Sequence, residues 1–534
     1  MKLLRHVGLH PFLASAYPPL ALLAANLGQV RPSIAVRPLA LSLGGAVLLV
    51  ALLRTWLKDW GRAGLLATFW LALFYGYGPV YQALKTIAVG GTTLGRHRFL
   101  VPAWLALAVA VAWLVAGGKI AAPAWSRALN YCLGIAVLLP LGQLGWSSLS
   151  TATASGTGPS DLAAQIETQA LAANGLPDIY YIVLDAYARA DTLRQTFDLD
   201  NSEFVGQLRA LGFYVAECSQ SNYSQTELSL AAALNLDYLD RLLDPPPHQP
   251  EDRPRLWPLM RHSLVRTSLE QAGYRTVAFE TGYYWSEWED VDLYLAPAGG
   301  GMTAFEATLL RSTAAWAGID VLPVLPPGLL RDLDRSTAAH RARVQFVLEE
   351  LERIPERPGP QFVFVHLVSP HRPFVFDAQG NPAQDDYTWT PSDIGLQQYI
   401  RGYREQVLYL NSRLIPVLEG LLAGSDPPPV ILLQSDHGPE EGSAADRMRN
   451  FSAYYLGAPD ASALYPSISP VNGFRLALNA RFGRALPLLE DVSYFSTYDR
   501  PFEFSLIASD CDAGARLPLL QAELAAVSPE QEGR

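Results

Sequence analysis

The chain has 534 residues, more than a single hydrophobic core ordinarily supports. Its charge changes sharply near position 150. The first 150 residues carry 12 Lys plus Arg and one acid, a net charge of +11, and the remainder carries −22. Two units are therefore expected, and the strongly acidic second unit argues against a nucleic-acid partner, which would need a basic surface.

Five apolar stretches fill the first unit, and each is close to the ~20 residues with which an α-helix crosses a bilayer. A cleaved signal peptide is not expected, because the first stretch is followed at once by four more. A soluble unit would carry acidic side chains on its surface, yet this one contains only Asp59. The sequence therefore predicts five transmembrane helices, at residues 11–29, 36–53, 63–84, 99–117 and 128–148.

Basic residues between the spans set the expected orientation. With the N-terminus inside, seven Lys or Arg residues face the cytoplasm and five lie outside. No charged residue follows Arg127 until Asp161, so the large unit is expected outside the cytoplasm. Only Cys218 and Cys511 could pair there, since Cys132 lies in the fifth span, and the sequence leaves their pairing open.

Residues 151–176 are rich in small and polar residues and are predicted to form a linker, which leaves 177–534 as the second domain. In that domain short apolar runs alternate with longer stretches of helical spacing. Strands without polar alternation, joined by helices, favour an α/β sandwich with a mostly parallel sheet. The predicted strands are 179–185, 274–280, 361–367 and 429–436, and the predicted helices include 201–211, 226–240, 337–353 and 397–423.

Polar side chains gather where these strands end. Asp185 ends the first strand, His366 and His371 lie at or just past the end of the third, and Asp436 with His437 ends the fourth. Ligands of parallel sheets bind beyond the carboxyl ends of the strands. Asp185, Asp436 and His437 suit a Zn, Mn or Mg ion with a position open for substrate. One aspartate at a strand end is more often a cap or turn residue, so the prediction depends on the combination.

Thr226 is the candidate nucleophile, because it directly precedes a helical run of Leu and Ala. A hydroxyl there meets free backbone N–H groups and the positive end of the helix dipole. An ordinary threonine cap has the same pattern. His366 and His371 flank a Ser-Pro turn, where an imidazole can protonate a leaving oxygen, bind negative charge or complete a second metal site. A structural histidine is the alternative at either position.

The order of Asp185, Thr226, HLVSPH (366–371) and SDHG (435–438) resembles the alkaline phosphatase and sulfatase superfamily. Within it, the chain is most similar to the membrane-anchored branch that contains lipoteichoic acid synthases and phosphoethanolamine transferases. The motifs that carry the resemblance are YYIVLDAYARAD, NYSQTELSLAAALN, FVFVHLVSPHRPF and LLQSDHGPE.

This resemblance implies five N-terminal helices in the bacterial inner membrane and an extracytoplasmic catalytic domain. It also implies that Thr226 attacks phosphorus or sulfur to give a covalent intermediate, while His366 and His371 face the transferred group or its acceptor. The implied metal ligands are Asp185, Thr226, Asp436 and His437.

Three departures from the superfamily narrow these expectations. The Cys-x-Pro-x-Arg motif of true sulfatases is absent, the large domain has no lysine to hold a sulfate, and no histidine follows His437 as a late ligand of a second metal. Sulfate-ester hydrolysis is therefore disfavoured, and one divalent ion is expected. An anion clamp must use arginine, whose fork matches phosphoryl oxygens. The candidate substrate-binding residues are Arg189, Arg372 and Asn222.

We therefore expect a membrane-bound, metal-dependent enzyme in which Thr226 cleaves a phosphodiester and passes the group to a sugar hydroxyl or to water. Its expected partners are the bilayer and a membrane lipid or lipid-linked glycan. The first alternative is a membrane-anchored phosphoester or sulfate-ester hydrolase. The second, from another class, is a catalytically silent scaffold for envelope-polymer assembly.

Overall fold

The computed structural model describes residues 8–26, 32–84, 88–89, 92–93, 97–152, 176–297, 304–315, 335–383, 395–457 and 462–509. The chain divides into two compact units. The first contains Met1–Ser155 and Gly299–Ala339, and the second contains Gly156–Ala298 and His340–Arg534. Most of the predicted linker lies outside the described residues. The grouping of 299–339 with the N-terminal unit differs from the predicted boundary, which placed this segment in the second domain.

The first unit is helical because its stretches are apolar throughout and carry few groups that compete for backbone hydrogen bonds. A short antiparallel pair, β1 Ala88–Val89 and β2 Thr92–Thr93, lies between two of the helices. The helices are α1 His10–Ala25, α2 Val36–Leu57, α3 Trp60–Leu84, α4 His97–Ala116 and α5 Ala122–Ala152.

Among the described residues, four helical segments are long and apolar enough to span a bilayer, so the predicted count of five is corrected. They are Pro32–Leu57, Trp60–Leu84, Phe99–Ala116 and Ala122–Gly145. The difference is α1, which has 16 residues. At 1.5 Å per residue it rises about 24 Å, short of the ~30 Å of hydrocarbon that a span must cross.

Seven strands form the central sheet within the described part of the second unit, in the order β4-β9-β8-β3-β7-β5-β6. β3 is parallel to β7 and β8, and β5 is parallel to β6 and β7, whereas β9 pairs antiparallel with β8 and β4. The predicted mostly parallel α/β sheet is confirmed. The strands are β3 Ile179–Leu184, β4 Tyr214–Val215, β5 Arg275–Phe279, β6 Leu293–Leu295, β7 Gln361–Leu367, β8 Val430–Gln434 and β9 Ser452–Tyr455.

Helices cover both faces of this sheet. Alternate residues of β3 point to opposite sides: Tyr180 and Ile182 join one buried apolar core, and Tyr181 and Val183 join another. A smaller antiparallel pair consists of β10 Ser493–Phe495 and β11 Ser505–Ile507. The helices are α6 Ala190–Phe197, α7 Ser202–Ala210, α8 Thr226–Asn235, α9 Leu239–Leu242, α10 Leu256–Arg261, α11 Leu264–Gln271, α13 Arg335–Leu351, α14 Leu396–Gly424, α15 Ala444–Met448 and α16 Pro470–Phe482.

One further helix, α12 Ala304–Arg311, belongs to the first unit although its sequence lies between β6 and α13. Phe305 of α12 packs in an apolar cluster with Leu23 and Ala35. The backbone N–H of Gly78 in α3 donates to the carbonyl of Ser312, 3.0 Å away. The segment is therefore held against the N-terminal helices by both apolar and backbone contacts.

The strand register brings the predicted site residues together. β3 lies between β7 and β8, and Val183 is paired with both His366 and Gln434. Asp185 and Asp436 each lie two residues beyond these paired positions, at the carboxyl ends of adjacent parallel strands. The sheet thus places two carboxylates and an imidazole at one edge.

Candidate metal centre and nucleophile

Asp185 and Asp436 form the base of the site, and both are almost completely buried. The backbone N–H of Ala186 donates to Oδ1 of Asp436 at 3.1 Å and fixes that carboxylate. Oδ2 of Asp436 and Oδ1 of Asp185 are buried without a hydrogen-bond partner among the described residues. Buried carboxylate oxygens left in this way are unfavourable unless a cation or proton donor meets them.

His366 joins the two carboxylates. Ligand atoms of Asp185, His366 and Asp436 all lie within 4.8 Å of one another, and Nε2 of His366 is 3.4 Å from Oδ2 of Asp185. Neither ring nitrogen of His366 has a hydrogen-bond partner in the described chain. The sequence predicted a catalytic role for His366, whereas the geometry places it among the candidate metal ligands.

His437 presents its Nε2 atom to the same cluster. Its Nδ1 lies 2.8 Å from the carbonyl of Gly438, so Nδ1 carries the proton and the Nε2 lone pair is available. That Nε2 lies 3.2 Å from Oδ2 of Asp436 and 3.9 Å from Oδ1 of Asp185. Ligands about 2.1 Å from a tetrahedral ion are about 3.4 Å apart. The spacing and the unpartnered atoms therefore fit a divalent ion held by these residues.

Gly438 allows the loop after β8 to close. A Cβ atom at this position would overlap the carbonyl oxygen of Asp446 and lie 3.0 Å from that of Arg449. The backbone N–H of Gly438 also donates to the carbonyl of Arg447 at 2.7 Å. The glycine is required for close backbone approach, which brings α15 next to His437.

Thr226 opens α8 and lies beside the metal cluster. Its Oγ1 is 3.1 Å from Nε2 of His437, and the residue is partly exposed while its neighbours are buried. No side chain caps α8, whose N-cap residue is Gln225. Glu227 would repel an anion at this helix end, but it is paired with Arg253 at 2.6 Å. The N-terminus of α8 therefore remains suited to bind a negatively charged group.

His371 lies on the other side of the cluster in a tight polar network. Its Nε2 is 3.0 Å from Glu440 and its Nδ1 is 2.6 Å from the carbonyl of Arg372, so both ring nitrogens face acceptors. The second oxygen of Glu440 is 2.5 Å from Nε of Arg372. Nη1 of Arg372 is buried without a hydrogen-bond partner in the described residues. His371 is thus suited to act as a fixed positive charge, and Arg372 keeps a donor for an anionic ligand.

These contacts shift the pKa values of the site residues. Burial lowers the pKa of His371, but Glu440, followed by Asp185, raises it to about 9. Burial would raise the pKa of Asp185, yet His371 and the other nearby histidines hold it below its ordinary range. Burial, followed by the charge of Arg447, lowers the pKa of His437. The site therefore combines an ionised carboxylate, a neutral His437 and a protonated His371 at neutral pH.

Two predicted substrate-binding residues have structural partners instead. Arg189 is buried, donates to both carboxylate oxygens of Asp191 at 2.7 Å, and donates to the carbonyl of Ser219. Asn222 is fully buried and bonded to Tyr238 and to the backbone of residues 471, 492 and 494. Both residues are thus held by structural contacts, and their assignment to substrate binding stays a prediction.

Sequence reasoning missed Arg447 and Glu440 at the site. Arg447 of α15 lies with Nη2 3.3 Å from Nε2 of His437 and with Nε bonded to the carbonyl of Ser224. Glu440 stands in the LLQSDHGPE motif, but its pairing with His371 leaves no periodic signal. Trp285, in the aromatic stretch 281–290, also lies beside the site. The centroid of its ring is 5.8 Å from the centroid of the His366 ring.

Cys218 is disulfide-bonded, and Cys132 is free. Cys511, the other cysteine of the second unit, lies outside the described residues. A disulfide in this unit agrees with an oxidising compartment.

The second unit thus combines a mostly parallel sheet with a buried Asp, His and Asp cluster beside a threonine at a helix N-terminus. Residues 220–463 match the sulfatase family. The predicted resemblance to the alkaline phosphatase and sulfatase superfamily is thereby confirmed. Members of this superfamily are hydrolases or phosphotransferases.

Similar solved structures include the C-terminal periplasmic domain of EptC from Escherichia coli in complex with Zn, at 12% identity and a TM-score of 0.42, covering 63% of this chain and 94% of that chain. The integral membrane phosphoethanolamine transferase EptA from Neisseria meningitidis has 12% identity and a TM-score of 0.35, with 89% and 96% covered. The lipoteichoic acid synthase LtaP from Listeria monocytogenes has 12% identity and a TM-score of 0.34, with 70% and 100% covered. None of the curated proteins matches the chain. Structural similarity at this level says nothing about activity. The activity has to be inferred from the geometry of the site.

Proposed function

We propose that this protein is a membrane-bound, metal-dependent phosphotransferase that uses Thr226 as its nucleophile. The observation that carries the proposal is the position of Thr226 Oγ1, 3.1 Å from His437 Nε2 and at the uncapped N-terminus of α8. A hydroxyl in that position can approach phosphorus while the helix N–H groups bind the phosphoryl oxygens.

The candidate metal ligands are Asp185, Asp436, His437 and Thr226, joined by His366. A divalent ion bound there would lower the pKa of the Thr226 hydroxyl and neutralise charge on the phosphoryl group. Zn fits the mixed carboxylate and imidazole donors well, and Mn is the closest alternative. The fit is supported by the buried, unpartnered oxygens of Asp185 and Asp436.

In the first half of the reaction, the bond between Thr226 Oγ and phosphorus forms as the bond to the leaving alcohol breaks, and the alcohol leaves with a proton. In the second half, an acceptor hydroxyl takes the group and Thr226 regains its hydroxyl. Arg447 and Arg372 are placed to bind phosphoryl oxygens from two sides of the cluster. Arg372 was predicted for this anion clamp, and Arg447 takes the place predicted for Arg189.

The proposed substrate is a membrane lipid or lipid-linked glycan. The protein is proposed to be an integral protein of the bacterial inner membrane, with its second unit outside the cytoplasm. Four apolar helices restrict the enzyme to the bilayer, which raises the effective concentration of lipid substrates. The disulfide of Cys218 supports the extracytoplasmic placement.

Incubation of the purified full-length protein with a headgroup-labelled phospholipid tests the proposal. Intact-mass analysis should show a phosphodiester adduct on the protein, mapped to Thr226 by peptide sequencing. Thr226→Ala should remove the adduct and lower turnover by at least about 10³-fold. Thr196→Ala, a threonine of α6 away from the cluster, is the matched control. Normal turnover in Thr226→Ala would refute the proposal.

The same experiment separates transfer from hydrolysis, which share the first half-reaction. Transfer gives labelled acceptor lipid or glycan, whereas hydrolysis gives free labelled headgroup. A membrane-anchored phosphoester hydrolase is the second candidate, because the partly exposed Thr226 leaves room for water as well as for an alcohol.

A further inference from the structure

One arginine beside the metal cluster, Arg343 of α13, has no partner among the described residues. Its guanidinium forms no hydrogen bond or ion pair with any of them, although its Nε atom is buried. The guanidinium lies against the backbone of Gly282, where a Cβ atom would be 2.8 Å from Nη2 and 2.9 Å from Cζ. A buried cationic donor is unfavourable in this state unless a ligand supplies the acceptor.

The face of α13 that carries Arg343 is directed toward the metal cluster. His340 lies one helical turn before Arg343 on the same face, and its ring is hydrogen-bonded to the backbone of Val368, just past the end of β7. Burial, followed by the charges of Arg343 and His371, lowers the pKa of His340 to about 3, so that this imidazole is neutral at neutral pH. Arg343 is therefore the cationic group that this face of α13 presents.

Two aromatic residues after β5 link Arg343 to the metal cluster. Burial, followed by the charge of Asp185, raises the pKa of Tyr283, whereas the charge of Arg343 lowers it, so this tyrosine lies near both. The ring centroids of Tyr283 and Trp285 are 5.6 Å apart, and Trp285 in turn lies beside His366. Both aromatic side chains and Arg343 are partly exposed. A ligand held at the cluster can therefore reach the guanidinium.

The carboxylates that the structure describes around this region have other partners. Glu287 accepts hydrogen bonds from the backbone N–H groups of Thr281 and Gly282, at 3.2 and 2.9 Å. Glu440 lies 3.0 Å from Nε2 of His371 and is paired with that imidazole. The acceptor for the Arg343 guanidinium is therefore to be sought in a ligand.

We propose that Arg343 is a specificity-determining residue that binds a second oxyanion of the substrate, a carboxylate or a phosphate carried by the transferred group. The inference rests on the proposed function, in which Arg372 and Arg447 already bind the phosphoryl oxygens. A phosphodiester brings one negative charge, so a third arginine without a carboxylate partner matches a further anion. It also disfavours a transferred group that ends in an ammonium, because like charges would then meet. The substrate class is a phosphodiester whose transferred group is itself anionic.

Three synthetic para-nitrophenyl phosphodiesters test this preference on the purified full-length protein. Their second alcohols are hydroxypropanoate, propanol and aminoethanol, so the transferred groups are matched in length and end in a carboxylate, a methyl or an ammonium group. In each case the bond from Thr226 Oγ to phosphorus forms as the bond to nitrophenolate breaks, and water then takes the group while Thr226 regains its proton. The absorbance of nitrophenolate gives the rate. We expect kcat/KM to be at least about tenfold higher for the carboxylate diester than for the methyl diester, and lowest for the ammonium diester.

Replacement of Arg343 by glutamine should abolish the preference. Arg343→Gln should lower kcat/KM about tenfold for the carboxylate diester and leave the methyl diester unchanged, because only the carboxylate reaches the guanidinium. The rate with the methyl diester also shows that the variant is folded. Arg341→Gln is the matched control, since it removes the same charge from the same helix at a side chain bonded to the carbonyl of Val375. A preference that survives in Arg343→Gln, or an equal loss with all three diesters, would overturn the inference.

Binding without turnover separates this inference from the proposed function. The probes are phosphonopropanoate and propylphosphonate, which have no ester bond to cleave and differ in the terminal carboxylate. In isothermal titration calorimetry the wild-type protein should bind phosphonopropanoate about tenfold more tightly, and Arg343→Gln should bind the two probes equally. Equal affinities in the wild-type protein would overturn the inference even if every diester is cleaved. If no diester is cleaved but the affinities differ as expected, the proposed phosphotransfer fails while the anion subsite at Arg343 stands.

Discussion

Replacement of Glu440 by glutamine tests the electrostatic network beside the metal cluster. Glu440 faces His371 through one carboxylate oxygen and Arg372 through the other. Glutamine keeps the size of the side chain and removes its charge. The substitution leaves the buried Arg372 and the partly buried His371 without their shared anion, which is destabilising.

The magnitude follows from the pKa of His371. Burial lowers that pKa, but Glu440, followed by Asp185, raises it from 6.5 to about 9. At about 1.4 kcal/mol per pKa unit the net rise corresponds to about 3 kcal/mol, and Glu440 is the largest cause of the rise. Because the pKa is raised in the folded chain, this stabilisation is fully present below about pH 6.5 and is lost as the pH rises through about 9.

Thermal unfolding of the full chain in detergent, followed by tryptophan fluorescence, measures this effect. Relative to wild type, Glu440→Gln should lower Tm by about 4 to 8 °C more at about pH 6 than at about pH 10. Glu441→Gln removes the same charge one residue away, at a side chain outside the His371 network, and should show no such pH dependence. A Tm loss in Glu440→Gln that is independent of pH would refute the role assigned to its charge.

Three other substitutions at the site, with one control outside it, separate the roles of the site residues. Asp436→Asn should abolish stoichiometric Zn or Mn in the purified protein, measured by elemental analysis; retention of the metal would refute the ligand assignment. Gly438→Ala, whose Cβ would overlap the Asp446 carbonyl, should destabilise the fold by about 2–3 kcal/mol, whereas Gly206→Ala, in open surroundings on α7, should stabilise it by about 0.5–1 kcal/mol. Both stability changes are measured as the shift of Tm relative to wild type. Arg447→Gln should lower kcat about 10²-fold with the metal content unchanged; loss of metal instead would show that Arg447 only organises the ligands.

Much of the second unit follows from local patterns. The apolar runs at 179–185 and 361–367 predict β3 and β7 to within a residue at each end, because a strand covered on both faces has no polar interruptions. Once those strands are parallel neighbours, the polar residues at their ends must meet. The sequence could therefore predict that Asp185 and His366 approach each other, although the specific ligand set stays a prediction.

The parts that could not be predicted depend on contacts between distant segments. Arg447 reaches His437 only because Gly438 lets the loop fold back, and its partner Ser224 is more than 200 residues away in sequence. Arg189 looked available because it follows Asp185 closely, but Asp191 engages its guanidinium. Hydrogen-bond partners of this kind leave no periodicity, so the sequence offers arginines without showing which are free to bind a ligand.

The contact between the α12 segment and α3 can be tested at Gly78. The chain passes between the two units near residues 155, 298 and 339, so three covalent connections join them instead of the single predicted linker. Since α12 lies in the sequence between β6 and α13, a change at its contact with α3 can be tested for an effect on activity. A Cβ on Gly78 would lie 2.5 Å from the Cα of Ser312 and displace this segment. We expect Gly78→Ala to lower turnover of lipid several-fold while the metal content stays constant, and Gly76→Ala, in open surroundings on the same helix, to leave both unchanged. Equal turnover in the two variants would show that docking of the segment does not contribute to activity.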